Sequence, residues 1–359
     1  VNEEKAKEVV PKISRYANSQ NKVSEADFFS NHPFHLVIEN FSRTVVAPPK
    51  PNSSLESRWF YERARGQYSD ARPASSAKSK RKEFDLKNPR SQLVTKTDLA
   101  KVLNTFRGFP DLVSKGAQKS FVEFAKAIET TWSSESDEHK KFNEKFFKNS
   151  MSKVLIFRSL EKLVSGQDWY QGGYRANVVT YSLAKLSDCI KGEKKVINFQ
   201  KIWNAQTISE ELEKTLLEIA LRAYKHLTAD PLPGSPTNVT EYAKTSKCWQ
   251  IFKDEKYLLP NFAKTFLISK SVAKDADRQA ESKQILTNEV ERQKAVIAYG
   301  GPFWSKVLEF SSQKNILIPS DWSLLSSATA IPRKLPSSDK EYRKLLTLLE
   351  RARKSGFED

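Results

Sequence analysis

Ser209-Glu-Glu-Leu-Glu-Lys-Thr-Leu-Leu-Glu-Ile-Ala-Leu-Arg-Ala-Tyr-Lys-His-Leu227 is the stretch that decides the fold class. Leu212, Leu216, Ile219, Ala220, Ala223 and Leu227 recur at steps of three and four, which gathers them on one side of a helix. Ser209 is a natural cap, and Pro231-Leu-Pro-Gly-Ser-Pro236 closes the segment as the clearest linker in the chain. The same period returns at Phe34, Val37, Ile38, Phe41 and Val45, after a cap and an early proline in Ser30-Asn-His-Pro33. It returns again at Phe121, Phe124, Ala125, Ile128 and Trp132, at Phe147, Met151, Val154 and Leu155, and at Val179, Leu183, Leu186 and Ile190. The expected fold is mainly α, a multi-helix globular fragment with an irregular, partly extended basic insertion near residues 47–104.

Beyond the linker, a helix is expected from Thr237 or Asn238 through Trp249, and a long polar helix from Ser269 to Ala298. The polar helix has few apolar anchors, so it either projects or pairs with a partner. Gly300-Gly-Pro302 breaks the pattern before Phe303, Trp304, Val307 and Leu308, and a last helix runs from Asp339 to Lys354. The expected division is 1–46, a helical continuation of an upstream core; 47–110, basic and aromatic; 111–230, a helical core; and 231–359, a carboxy-terminal helical region.

With 38% apolar and 29% charged residues over 359 positions, the chain has the composition of a folded protein with a buried core. Val1-Asn-Glu-Glu-Lys-Ala-Lys-Glu8 is charged where a signal peptide is apolar, so a cytoplasmic location is expected. Cys189 and Cys248 stand apart from each other and from any histidine cluster in sequence. They read as buried thiols, and no disulfide, metal or cofactor is expected. The only Met is Met151, so Val1 reads as a boundary within a longer protein.

Charge is concentrated. From Arg58 to Arg107 there are thirteen Lys/Arg against five acids, which places +8 of the formal +17 in fifty residues. Arg58-Trp-Phe-Tyr-Glu-Arg-Ala-Arg-Gly-Gln-Tyr68 interleaves cations with aromatics, as surfaces that grip phosphates and stack on bases do. On that reading Arg58, Arg63 and Arg65 contact phosphate, and Trp59 or Tyr68 stacks on a base. The competing reading puts the rings in the core and pairs the arginines with nearby acids. Pro73-Ala-Ser-Ser-Ala-Lys-Ser-Lys-Arg-Lys82 reads as a mobile basic loop in which Lys78, Lys80, Arg81 and Lys82 grip phosphate or are simply solvated. Lys96, Lys115 and Lys119 are further candidates, the last two at a helix start that either binds an anion or is only a cap.

Asn18-Ser-Gln-Asn-Lys-Val23, Asp27-Phe-Phe-Ser-Asn-His-Pro-Phe34, Trp59 to Tyr68, Thr95-Lys-Thr-Asp-Leu-Ala100, Val113-Ser-Lys-Gly-Ala-Gln-Lys119 and Gly172-Gly-Tyr-Arg-Ala-Asn177 follow one another in this order. Together these blocks resemble the carboxy-terminal half of the abortive-infection phage-resistance (AIPR) family. The resemblance implies a bacterial protein of antiviral defence. Family members can carry an amino-terminal nuclease-like part, so any catalysis is expected upstream of Val1.

No catalytic residues can be assigned. Glu3-Glu-Lys5 and Glu281-Ser-Lys283 match a fragment of a nuclease motif at a frequency that chance supplies, and His32 and His35 read as capping or packing residues. Asn238-Val-Thr240 reads as a helix start. The expected partner is nucleic acid, DNA or RNA unresolved. The alternative is a protein-interaction or oligomerisation scaffold meeting an acidic partner or a second copy, and the third is part of a nuclease. No membrane contact is expected.

Overall fold

A computed structural model describes residues 29–50, 54–74, 76–132, 141–229 and 234–358, apart from the side chains of Gln284 and Ile285. The blocks at 18–23 and 27–28, the Glu3 to Lys5 match, and positions 231–233 of the linker lie outside the described residues. Contacts divide the chain at 280/281 into two units.

In the unit ending at 280, α1 (Pro33–Thr44) begins where His32 Nδ1 accepts the Phe34 N–H at 3.2 Å, with Pro33 in its first turn. The cap and proline therefore act as the sequence indicates. Phe34 and Ile38 are fully buried, and so is His35, whose Nδ1 shares a 2.5 Å hydrogen bond with the Tyr61 hydroxyl.

The basic segment is more regular than expected. Ala47 bridges Ser57, β1 (Phe60–Glu62) is followed by α2 (Gln67–Ala71), and Lys78–Lys87 forms α3. The expected mobile loop is thus corrected at Lys78, Lys80, Arg81 and Lys82, which are helical. Lys, Arg, Glu and Leu all favour the helix, Pro73 and Pro89 fall outside it, and Lys87 pairs with Glu83 one turn earlier at 2.7 Å. Because α3 buries none of its residues, no apolar period announces it. Next, β2 (Leu93–Thr95) pairs parallel to β1, with Phe60 opposite Leu93.

The core is built from α4 (Lys96–Arg107), α5 (Pro110–Ser114), α6 (Ala117–Trp132), α7 (Glu144–Ser165), α8 (Arg175–Gly192), α9 (Phe199–Ala205) and α10 (Glu210–Thr228), with β3 (Lys195–Ile197) between α8 and α9. Thr95 and Asp98 close a reciprocal capping box at the start of α4. Ser209 accepts from the Leu212 N–H at the start of α10, as its sequence predicts. Helix α8 is buried on every side from Val178 to Leu186 and packs on α10, α7, α4 and α5, which makes it the centre of the bundle.

The single helix expected over 237–249 is instead α11 (Val239–Tyr242), capped by Asn238, and α12 (Ser246–Asp254), capped by Thr245. Threonine competes for backbone hydrogen bonds, and here it restarts the helix rather than continuing it. β4 (Leu267–Ser269) pairs antiparallel with β3.

α13 (Lys270–Gln313) is helical except at Gly300, where φ is 73°. This is the expected break. At Gly301 a Cβ would stand 2.2 Å from the Thr329 carbonyl oxygen, so only glycine fits there. In the unit from 281, α14 (Pro319–Ala328) and α15 (Asp339–Lys354) enclose Trp304, Val307, Leu325 and Leu345. Trp304 Nε1 donates to the Val296 carbonyl at 3.0 Å. Among the described residues no helix is long and apolar enough to cross a membrane.

Candidate nucleic-acid interface

Residues 104–130 build an open groove of about 1040 Å³ between α4, α5 and α6. Two left-handed glycines shape it. Gly108, at φ 92°, ends α4, and Gly116, at φ 105°, separates α5 from α6. Between the first glycine and Pro110, Phe109 turns outward and stays 43% exposed, while its N–H bonds to the Asn104 carbonyl at 3.1 Å. Asn104 is fully buried and holds the two walls together, its Nδ2 donating to Ser120 O at 2.8 Å and Ser120 Oγ at 3.1 Å.

Four cations line this groove: Arg107, Lys115, Lys119 and Lys126. Its one acid is Glu123, which Lys126 engages at 2.8 Å. The floor is Leu112, Val122 and Ala127. The groove therefore joins a net positive rim to an apolar floor and one protruding ring, the combination that suits a flexible polyanion bearing flat bases.

The candidates named from sequence divide into two groups. Lys115 and Lys119 come together in the groove, beside Arg107 and Lys126. Arg58, Arg65, Lys78, Lys80 and Lys82 are exposed and Arg81 is half-buried, but none of them lines it.

Trp59 and Tyr68 are corrected from stacking candidates to core residues. They are 3% and 6% exposed, Trp59 Nε1 donates to Gln206 Oε1 at 3.2 Å, and the Tyr68 hydroxyl donates to Asn88 O at 2.7 Å. Neither ring has a face left for a base. Arg63 is likewise corrected, since it is spent on Glu39 at 2.7 Å, Asn31 Oδ1 at 2.6 Å and Ser30 O at 3.3 Å. Lys96 is 7% exposed, which removes it from any surface role.

Phe109, Arg107 and Lys126 line the groove and are not among the candidates named from the sequence. The available signal was Arg107-Gly-Phe-Pro110, a cation beside an aromatic held between two turn formers.

A second, smaller cleft of about 290 Å³ lies between α4, α5, α6 and α8, lined by Thr97, Asp98, Lys101, Ser114 and Asn177 among others. Asn177 Nδ2 donates to Ser114 Oγ at 2.9 Å across it.

A family model described as AIPR protein matches residues 1–231. The chain belongs to the AIPR family. It is therefore a phage-resistance protein of the abortive-infection kind. No curated protein and no solved structure matches it. The smaller cleft is where three AIPR-like blocks meet: Thr95 to Ala100, Val113 to Lys119, and Gly172 to Asn177.

The AIPR chain also sets Cys248 beside His226, although the two are 22 residues apart. Cys248 Sγ lies 3.5 Å from His226 Nε2, and His226 Nδ1 lies 3.5 Å from Glu255. The outline suggests a nucleophile with its base, but burial pushes the thiol up to about 11 and the residue is fully enclosed. The His226 ring bonds the Cys248 carbonyl at 3.0 Å, which makes this a packing contact. Among the described residues no three His, Cys, Asp or Glu side chains gather as a metal site.

Proposed function

We propose that this AIPR chain is a nucleic-acid-binding module of a longer phage-defence protein, its carboxy-terminal part, and that the groove between α4, α5 and α6 carries the binding. The observation that supports this most is the meeting of Arg107, Lys115, Lys119 and Lys126 around the exposed Phe109, with one acid among the lining residues. Cations in an open groove gain from releasing the counterions of a phosphate backbone, so binding weakens steeply with salt. The exposed cations Arg58, Arg65, Lys78, Lys80 and Lys82 extend the positive field that draws a polyanion to the chain.

Titration of labelled DNA and RNA oligonucleotides at low and high salt tests this reading. Binding at low salt that falls as salt rises supports it, whereas no binding at low salt, or binding insensitive to salt, rejects it.

A second reading, a scaffold that pairs with another copy, is favoured by exposed Leu286, Val290 and Ile297 along α13. These lie four and seven residues apart on one helical stripe. A concentration-dependent dimer in light scattering, without nucleic-acid affinity, would select it.

A further inference from the structure

The shape and lining of the groove bear on which nucleic acid fits. The backbone sets Phe109 outward: Gly108 reverses the chain, the Phe109 N–H is tied to Asn104 O, and Pro110 fixes the start of α5. A ring so placed exposes apolar surface in the free protein and loses little freedom when a ligand covers it. The Arg107 guanidinium is also positioned in advance. It lies 5.3 Å from the centre of the Phe109 ring, and Nη1 donates to Asn104 Oδ1 at 3.3 Å. The remaining guanidinium donors are available to a phosphate.

A duplex buries the faces of its bases against one another and offers a groove only sugar and phosphate. Against such a ligand Phe109, Leu112 and Val122 gain nothing, and their desolvation is wasted. An unpaired strand presents both a phosphate line for the cations and free base faces for the ring. An acidic peptide would satisfy the cations but has no regular flat surface for Phe109.

We infer, resting on the nucleic-acid reading above, that the groove takes single-stranded DNA or RNA in preference to duplex, with Phe109 as the platform on which one base stacks. Arg107, Lys115 and Lys119 hold the flanking phosphates.

Fluorescence anisotropy on the whole chain with a labelled oligothymidylate, an unpaired RNA and a duplex of the same length tests this. Phe109→Leu, which keeps an apolar side chain without a ring, is compared with Lys115→Gln/Lys119→Gln, each verified as folded by circular dichroism. The expected result is tighter binding of the unpaired probes. Phe109→Leu should weaken them about tenfold and leave the duplex unchanged. The double lysine variant should weaken every probe.

Equal or tighter binding of duplex, or unpaired-strand affinity untouched by Phe109→Leu while the lysine variant lowers it, overturns the stacking platform and leaves the nucleic-acid reading standing. Failure of every nucleic-acid probe, with or without capture of a polyglutamate probe, removes both.

Discussion

Arg107 lies with its guanidinium carbon 5.3 Å from the centre of the Phe109 ring, and the residue between them is a left-handed glycine. The contact keeps a cation at the mouth of the groove that would otherwise swing freely into water. For a single strand, each phosphate contact adds about 0.7 to the slope of log affinity against log salt. Arg107→Gln should therefore lower that slope by about 0.7 and weaken all unpaired sequences alike. Anisotropy titrations over a salt series read both quantities, and an unchanged slope would remove Arg107 from the interface.

Asn104 carries the groove's framework rather than its ligand. Its amide is fully enclosed and bonds both the backbone and the hydroxyl of Ser120, joining α4 to α6. Asn104→Ala leaves the buried Ser120 carbonyl without that donor. A loss of about 1–3 kcal/mol is expected. Urea denaturation should show it as a lower midpoint at an unchanged m-value, and a midpoint equal to that of the parent chain would show that α6 is held elsewhere.

His35 gives the fold an acid weakness. Burial pushes its imidazole down to about 3, with His32, Lys96 and Arg63 adding repulsion. In the unfolded chain the ring titrates near its ordinary value of 6.5. Between those two values the unfolded state binds the extra proton, so stability is fully present above about pH 6.5 and falls by about 1.4 kcal/mol per pH unit below it. His35→Phe should flatten that dependence, although it also removes the hydrogen bond to Tyr61 and lowers stability at neutral pH. An acid slope that survives the substitution would assign the weakness to another group.

The helices were legible where one face is apolar, as at Ser209 to Leu227, whose start Ser209 caps, and at Asp339 to Lys354, and the observed ends agree with the pattern. α3 escaped because it rests on intrinsic propensity and a surface ion pair, and neither leaves an apolar period. The break between α11 and α12 escaped for a related reason. Thr245 is a cap only if the chain turns before it, and no glycine or proline announces a turn there. Of the thirteen cations between Arg58 and Arg107, only Arg107 lines the groove, and Arg63, named from the charge density, turns inward. Arg63 differs from Arg107 in having Glu39 and Asn31 beside it, residues more than twenty positions away that a linear charge count ignores. Ring density around Trp59 likewise indicated a hydrophobic core, whereas Phe109, the exposed ring at the groove, stands between a glycine and a proline.

In the unit from 281, Asp321 is 1% exposed and accepts hydrogen bonds from Lys344 at 2.7 Å and Arg351 at 3.0 Å. Burial alone raises a carboxyl, but the two cations reverse that and hold Asp321 below its ordinary range. A depressed folded-state value means that its stabilisation is present above the ordinary carboxyl range and is lost as pH falls through that range and below. Asp321→Asn should therefore blunt the part of acid unfolding that lies below about pH 4. It should also destabilise the unit at neutral pH by about 1–3 kcal/mol, because an enclosed acceptor that joins α14 to α15 is weakened. The cost stays under that of breaking a fully buried pair, since Lys344 and Arg351 are 38% and 46% exposed and regain water. Thermal unfolding of the parent chain and the variant across pH, followed by the fluorescence of Trp304 and Trp322 with the other tryptophans replaced by Phe, measures both effects. A variant with the parent's acid midpoint and neutral stability would show that α14 and α15 are held by the Trp304 core alone.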